Sequence, residues 1–236
     1  MKVVDIQQKV STVPPLIAAC EQMNIRPSVR YANVLFVELS NFIPTRNKVI
    51  IKTQTFMIRL QPISTSDVQH YQFMEDLLIA AFPPEEHREL KDLREYTNRI
   101  GNFHNNIIFD DNTPVGFITY WDFDHFYYVE HFAINPTLRN SGYGKKVLDF
   151  LCKELNLPIV LEVEMPLEEM AQRRINFYKR QGFVLWEKEY QQPPYKNGDP
   201  FLPMYLMVYG SLQCKQDFDT VKKKIHKEVY NVKMNS

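Results

Sequence analysis

The chain contains little glycine, little cysteine and no long apolar run. Only 7 glycines occur in 236 residues, and the first of them is Gly101. The three cysteines, Cys20, Cys152 and Cys214, are an odd number and lack the close spacing of metal ligands. This argues against a disulfide framework and against a structural zinc site. We therefore expect reduced thiols, a cytoplasmic location and no bound metal.

An excess of charge of either sign is also missing. Lys and Arg total 28, and Asp and Glu also total 28, so no overall field draws the chain to nucleic acid or to an anionic membrane. No basic run indicates a local nucleic-acid site. The N-terminus lacks the apolar core of a signal peptide, and no apolar run approaches the length of a membrane span. We therefore expect a globular protein without nucleic-acid or membrane partners.

The pattern of apolar residues predicts a mixed α/β (α+β) domain over residues 56–236, preceded by an N-terminal extension of unknown role at 1–55. Two helices, the second beginning at Pro84, are followed by three strand-like runs with short connections, which predict an antiparallel meander. After Ile134 the order strand, helix, strand predicts a parallel pair with a crossover. Two more strands and a helix at 213–231 complete a mixed sheet with helices on both faces.

Two of the few glycines, Gly142 and Gly144, stand one residue apart between a predicted strand and a predicted helix. A turn of this kind at a helix N-terminus directs backbone N–H groups outward, where they can bind an anion. Lys145 and Lys146 follow in the first turn, where the helix dipole favours negative charge. A bound phosphate would compensate for both lysines.

Two familiar phosphate-binding patterns do not fit this loop. The dinucleotide fingerprint would need glycine at Val147, and the P-loop would need Ser or Thr at Lys146. The pattern that remains is R-x-x-G-x-G, formed by Arg139, Gly142 and Gly144. The alternative interpretation is a glycine-rich turn that only starts a helix.

This motif lies in VEHFAINPTLRNSGYGKKVLDFL (129–151), which resembles the acyl-CoA pyrophosphate signature of the GNAT superfamily of N-acetyltransferases. The segment RRINFYKRQGF (173–183) resembles a later motif of the same family, and the resemblance extends over about residues 57–210. The stretches at 80–89 and 192–207 resemble a Bacteroides-type bacterial subgroup. The resemblance implies the GNAT acyl-CoA N-acyltransferase fold, whose central strand splays away from its parallel neighbour.

By this resemblance acetyl-CoA is the acyl donor, and Tyr178 is the acid that protonates the departing thiolate. A main-chain N–H near Phe132 would polarise the thioester carbonyl. One departure is Ala171, where many family members carry an asparagine that contacts the cofactor arm. The implied cofactor-binding residues are Phe132, Ala133, Ile134, Arg139, Asn140, Ser141, Gly142, Tyr143, Gly144 and Lys145.

The transfer also needs a neutral amine, and at neutral pH only about one lysine-like amine in a thousand is uncharged. Glu130 and His131 are candidate bases. As neighbours on one strand they are predicted to point to opposite faces of the sheet, so only one of them would reach the substrate. Glu130, which would share a face with Phe132 and Ile134, is the first candidate. A paired or solvated carboxylate and a structural histidine are the alternatives.

Three further residues are candidates for binding the acceptor. Glu162 and Glu164 are predicted on one face of a later strand, and His125 lies on the preceding hairpin. They would attract a cationic amine or relay its proton, whereas a solvated strand face and an exposed hairpin tip are the plain alternatives.

The sequence thus predicts an acetyl-CoA-dependent N-acetyltransferase that acetylates a primary amine of a small molecule or a peptide by direct attack in a ternary complex. A non-catalytic acyl-CoA-binding or partner-binding module with the same fold is the alternative. A longer acyl donor also stays open, as does the choice between a monomer and a homodimer.

Overall fold

The structure is a computed structural model that describes residues 58–138 and 141–232, together with the backbone of two short strands. These strands, Ser28–Val29 and Leu35–Phe36, pair antiparallel. The chain divides into two compact units, Met1–Thr55 and Phe56–Ser236. The second unit contains all the elements described below.

A seven-stranded mixed sheet forms the centre of the second unit. The strands follow the order β1-β2-β3-β4-β5-β7-β6 across the sheet. In this sheet β4 and β5 pair in parallel, and every other neighbouring pair is antiparallel. The predicted meander, the parallel pair and the mixed α/β class are therefore confirmed. The strands are β1 (Ile58–Pro62), β2 (Phe103–Asp110), β3 (Thr113–Asp122), β4 (Tyr127–Ile134), β5 (Ile159–Glu164), β6 (Val184–Gln192) and β7 (Leu202–Tyr209).

Helices cover both faces of the sheet, as predicted. Buried residues of α1, α2 and α5 belong to one apolar cluster, and those of α3 and α4 belong to the other. None of the helices in the described part of the chain is long and apolar enough to cross a membrane. The helices are α1 (Val68–Ala81), α2 (Leu90–Arg99), α3 (Tyr143–Glu154), α4 (Glu169–Arg180) and α5 (Cys214–Glu228).

The connection between α1 and α2 differs from the sequence-based expectation. A helix from Pro84 is wrong: Pro84–Glu86 form a 3₁₀ turn, and α2 begins only at Leu90. His87 is extended, with φ −146°, and both His87 and Arg88 are buried. In an uninterrupted helix some of these side chains would face outward. The extended backbone at His87 instead directs them into the domain.

β4 and β5 diverge soon after they pair. Their ladder joins Tyr127 to Ile159, Tyr128 to Val160 and Val129 to Leu161, and both strands then continue for several residues. A gap therefore opens between the second half of β4 and the end of β5. The predicted splay between the central strand and its parallel neighbour is confirmed.

A β-bulge in β4 changes the direction of its side chains. Thr119 lies opposite His131, and the next residue, Tyr120, lies opposite Val129. Glu130 is therefore an extra residue on the β4 side, and such a residue interrupts the alternation of side chains.

As a result Glu130 and His131 point to the same face of the sheet. The Glu130 carboxylate contacts Arg88, and the His131 ring contacts the backbone of Glu86. Glu86 and Arg88 are close together in the loop between α1 and α2. The predicted opposite orientation is wrong. The predicted shared face with Phe132 is also wrong, because Phe132, like Ile134, packs against the cluster on the opposite face, with α3 and α4.

Candidate active site

The gap between β4 and β5 opens into a pocket of about 530 Å³. Its walls come from both strands, the start of α3, the inner side of α4, the α1–α2 loop and the end of β6. Most of the predicted site residues meet here. Those that line the pocket are Glu130, His131, Phe132, Ala133, Ile134, Gly142, Tyr143, Gly144, Lys145, Glu162, Glu164 and Tyr178.

The N-terminus of α3 forms one end of the pocket. Gly142 has a left-handed backbone with φ 80°, and an added Cβ would meet nothing within 4 Å, so the backbone conformation and not space favours glycine there. The first intrahelical bond runs from the Lys146 N–H to the Gly142 carbonyl, at 3.2 Å. The N–H groups of Gly144 and Lys145 precede it, in the first turn, where a helix directs its N–H groups away from its own carbonyls.

The second glycine allows close packing. An added Cβ at Gly144 would lie 3.2 Å from Cζ of Phe177 in α4, so the start of α3 lies tightly against α4. The N–H groups in the first turn of α3, the positive end of the helix and the Lys145 side chain together suit an anionic group such as a diphosphate. Ser141 is exposed and does not line the pocket. Arg139 and Asn140 lie outside the described residues.

The free edge of β4 offers backbone donors to the middle of the pocket. The Asn135 N–H donates to the Val115 carbonyl on β3, at 2.9 Å. Because N–H direction alternates along a strand, the N–H groups of Phe132 and Ile134 point the other way, into the splay. Donors placed there could polarise a carbonyl group.

Tyr178 lies on α4 and is buried at the pocket wall. Burial raises the pKa of Tyr178 to about 12, so its hydroxyl is protonated at neutral pH and can act as a donor. Ala171, one of the departures from the family pattern, is buried on the same helix. Asn176 is exposed and does not line the pocket, so it does not replace the missing asparagine.

Glu130 is held in a buried ion pair. Its Oε1 lies 2.9 Å from Nη2 of Arg88, and the two side chains are 0% and 5% exposed. Trp121 Nε1 donates to its Oε2 at 2.7 Å. These contacts occupy both carboxylate oxygens inside the protein. The geometry favours a structural role for this pair.

His131 uses both ring nitrogens inside the protein. Nε2 lies 3.0 Å from the Glu86 carbonyl, which can only accept, so we assign the proton to Nε2. Nδ1 lies 3.2 Å from Oγ1 of Thr119 and accepts from it. Burial lowers the pKa of His131, so the ring is neutral at neutral pH. Both ring nitrogens thus have partners inside the protein, and His131 also lines the pocket.

Glu162 lies on β5 among tyrosine hydroxyls. Tyr190 Oη donates to its Oε1, and Tyr230 Oη donates to its Oε2 at 2.7 Å. Burial raises the pKa of Glu162 from 4.5 to about 7, although the tyrosine hydrogen bonds oppose that rise. A base is most effective when its pKa is near the working pH. Glu162, which lines the pocket, meets this requirement.

Two other carboxylates lie near the pocket mouth. Glu164 Oε2 accepts from Nη1 of Arg174 at 2.7 Å. Burial raises the pKa of Glu86, and the charge of Glu164 raises it further. His125 is elsewhere: it is exposed at the β3–β4 hairpin, before β4 begins, whereas the pocket follows the other end of β4. The structure does not bring His125 to the acceptor site.

The sequence analysis missed several pocket residues. Arg173 and Arg174 on α4 could have been found, because they stand four residues before Phe177 and Tyr178 and so share their face of the helix. Four more of the missed residues lie in loops or at strand ends, where no local pattern marks them: Phe82, Glu86, Gln192 and Tyr195.

No group of three His, Cys, Asp or Glu side chains that could hold a metal occurs among the described residues. Cys152 and Cys214 are both free thiols, and burial raises the pKa of Cys152 to about 11. That thiol is protonated at neutral pH, so it is a weak nucleophile.

Comparison with known proteins gives a consistent result. The sequence profile of the Acetyltransferase (GNAT) family matches residues 71–183. A GNAT-family acetyltransferase of known structure from Bacteroides thetaiotaomicron is 70% identical, with a TM-score of 0.73 over 74% of this chain and 99% of that chain. No curated protein sequence matches.

More distant structures are also similar. An acetyltransferase from Bacillus subtilis, solved in complex with CoA, is 16% identical, with a TM-score of 0.44 over 67% of this chain and 100% of that one. A spermidine N-acetyltransferase chimera from Vibrio cholerae is 19% identical, with a TM-score of 0.47 over 64% and 93%. The Bacteroides relative confirms the predicted subgroup, and the chain belongs to the GNAT family of N-acetyltransferases.

Proposed function

We propose that this chain transfers the acetyl group of acetyl-CoA to a primary amine by direct attack within a ternary complex. One observation carries the proposal. The pocket between β4 and β5 joins the N-terminus of α3 at one end to Tyr178 and Glu162 further in. A single cavity thus offers an anion site, a proton donor and a proton acceptor, which are the three parts that this transfer needs.

Acetyl-CoA, the acyl donor, would be bound mainly by backbone groups. The N–H groups of Gly144 and Lys145 bind the diphosphate, together with Arg139. The N–H groups of Phe132 and Ile134 bind the thioester region along β4. Acetyl-CoA supplies an acetyl group activated as a thioester, and the residues of the chain align it with the amine.

Glu162 and Tyr178 divide the proton transfers between them. Glu162 removes a proton from the amine, directly or through one water, and Tyr178 gives a proton to the departing thiolate sulfur. With the pKa of Glu162 at about 7, roughly half of the molecules carry the ionised base at pH 7. With the pKa of Tyr178 at about 12, nearly all of them carry the protonated acid.

The acceptor end suits a positively charged amine. Glu86 and Glu164 line the mouth, and Glu162 lies deeper. Phe82 and Tyr195 add aromatic surface to the same end, and aromatic faces attract cations. We therefore propose a small-molecule or peptide amine that arrives protonated and is deprotonated inside the pocket.

The proposal is tested by incubating the protein with acetyl-CoA and a panel of amines, and by identifying products with mass spectrometry. Tyr178→Phe should lower kcat by about a hundredfold or more, because the thiolate then leaves unprotonated. Binding of CoA, measured by calorimetry, should stay close to the wild-type value. Tyr127→Phe is the control, since Tyr127 lies at the far end of β4, outside the pocket.

Two results would contradict the proposal. Binding of CoA without an acetylated product from any amine would indicate an acyl-CoA-binding module. An unchanged kcat for Tyr178→Phe at every pH would remove Tyr178 as the acid.

A further inference from the structure

Tyrosine hydroxyls from several elements converge on Glu162. Tyr190 comes from β6, and Tyr230 follows α5; they are 28 and 68 residues from Glu162 in the sequence. Each donates to a different carboxylate oxygen. The hydroxyl oxygen of Tyr230 also lies 3.2 Å from that of Tyr128 and 3.5 Å from that of Tyr195.

The segment that carries Tyr230 is fixed to the rest of the domain. The carbonyl of Val229 accepts from Nη2 of Arg88 at 3.1 Å. Asn231 Nδ2 donates to the hydroxyl of Tyr96 at 2.8 Å. Tyr230 itself is buried. Its hydroxyl therefore has a defined position relative to β5, although it lies beyond the last helix.

Burial alone would keep Glu162 protonated and unable to accept a proton. Hydrogen bonds donated to a carboxylate favour its ionised form, and such bonds are stronger than those between neutral groups. Burial raises the pKa values of Tyr190 and Tyr230 far above 10, so both hydroxyls stay protonated and donate. A carboxylate offers about four lone-pair positions. A hydrogen bond from Tyr128 also lowers the pKa of Glu162, so about one position stays open for an amine or a water.

We propose that Tyr190 and Tyr230 are positioning residues that hold Glu162 as an ionised, oriented carboxylate and so make it an effective base. This inference rests on the proposed role of Glu162 in deprotonating the acceptor. It assigns the segment after α5 to the active site, since without Tyr230 one carboxylate oxygen loses its donor.

Other titratable groups lie near Glu162 and must be considered when its titration is measured. Glu130 is a like charge that raises the pKa of Glu162, but it is paired with Arg88. His226 contacts the rings of Tyr190 and Tyr230, and burial lowers its pKa to about 4. His226 is therefore neutral above pH 6. The remaining titratable groups near Glu162 are the hydroxyls of Tyr128 and Tyr195, whose pKa values burial also raises.

The test measures the titration of Glu162 in Tyr230→Phe and Tyr190→Phe. The ¹³Cδ signals of labelled glutamate are followed by NMR in the substrate-free protein, and Glu162→Gln identifies the signal by its loss. Each phenylalanine should move the midpoint from near 7 upward by about one unit, because a donor to the ionised form is lost. The acidic limb of the pH profile of kcat/KM for the amine should shift upward by the same amount. The rate should fall about fivefold at pH 7 and recover at higher pH.

Tyr127→Phe removes a hydroxyl far from Glu162 and should leave the midpoint unchanged. Two folded variants that titrate like the wild type would overturn the inference. If Tyr230→Phe does not fold, Tyr190→Phe carries the same test from a different strand. Full activity in Glu162→Gln would instead contradict the proposed base, and the NMR midpoints would still decide the role of the two tyrosines.

Discussion

At the scale of single residues, three glutamates in one pocket illustrate how neighbours determine what a carboxylate does. Glu130 is paired with a buried arginine, Glu164 with a partly exposed one, and Glu162 with neutral tyrosines. The first two carboxylates therefore have cationic partners, whereas Glu162 accepts from neutral hydroxyl groups. Burial raises the pKa of Glu162 to about 7, near the value that a base needs.

The raised pKa of Glu162 predicts an effect on stability. Its folded value of about 7 exceeds its ordinary value of 4.5, so the folded state retains a proton that the unfolded state releases. The stability due to this proton is complete below pH 4.5 and is lost as pH rises through 7. Glu162→Gln removes this loss. The free energy of unfolding of the variant, relative to that of the wild type, should therefore rise by about 3 kcal/mol between pH 4 and pH 8. Urea unfolding at each pH measures this difference. Parallel stability curves for the two proteins would show that the carboxyl has the same pKa in both states.

At the scale of elements, local patterns in the sequence predicted most of the helices and strands. The closing helix is an example, because Phe218, Val221 and Ile225 recur at helical spacing and all are buried. The start of α1 is another, since it follows Asp67, a residue type typical of helix N-caps, whose side chain accepts from the His70 N–H at 3.3 Å. Such signals depend on neighbours within one or two turns.

The active-site geometry depends on contacts that the sequence does not display. The bulge at Glu130 follows from the register between β3 and β4, and strict alternation therefore placed Glu130 on the wrong face. Tyr230 looks like any buried aromatic residue after a helix, and only folding brings it to Glu162. The glycine turn before α3 was easier to recognise, because Gly142, Gly144 and the lysines after them are adjacent in the chain.

The Arg88 side chain joins three elements, and its removal should be costly. It pairs with Glu130 on β4, donates to the carbonyl of Val229 after α5, and lies 4.2 Å from the ring centroid of Tyr96 on α2. Arg88→Met leaves a buried carboxylate without its cation, which costs about 3–5 kcal/mol. Guanidinium unfolding should show this loss, and adding Glu130→Gln should restore part of it.

A matched control is Arg99→Met. Arg99 and Glu95 form an ion pair in which the side chains are 74% and 51% exposed. An exposed pair of this kind contributes less than about 1 kcal/mol, so the loss should be small. Equal losses at positions 88 and 99 would show that the buried ion pair does not connect these elements energetically.

At the scale of the whole molecule, the division of the chain predicts which part is sufficient for acetyl transfer. The compact unit Phe56–Ser236 contains the whole pocket, and the Bacteroides relative matches 99% of its own length to only 74% of this chain. We expect a protein of residues 56–236 to keep the melting temperature of the domain and its kcat, because every described side chain of the site is present.

A second shortened protein provides the comparison for this prediction. Starting at residue 63 removes β1, which pairs with β2 over five positions from Ile58 to Pro62, and exposes the edge of β2. This version should melt well below the first, since an edge strand and its apolar contacts are lost. If residues 56–236 melt like the full chain but lose acetyl transfer, then residues 1–55 act in the reaction itself. If both shortened proteins melt alike, β1 contributes little and the boundary of the domain lies further along the chain.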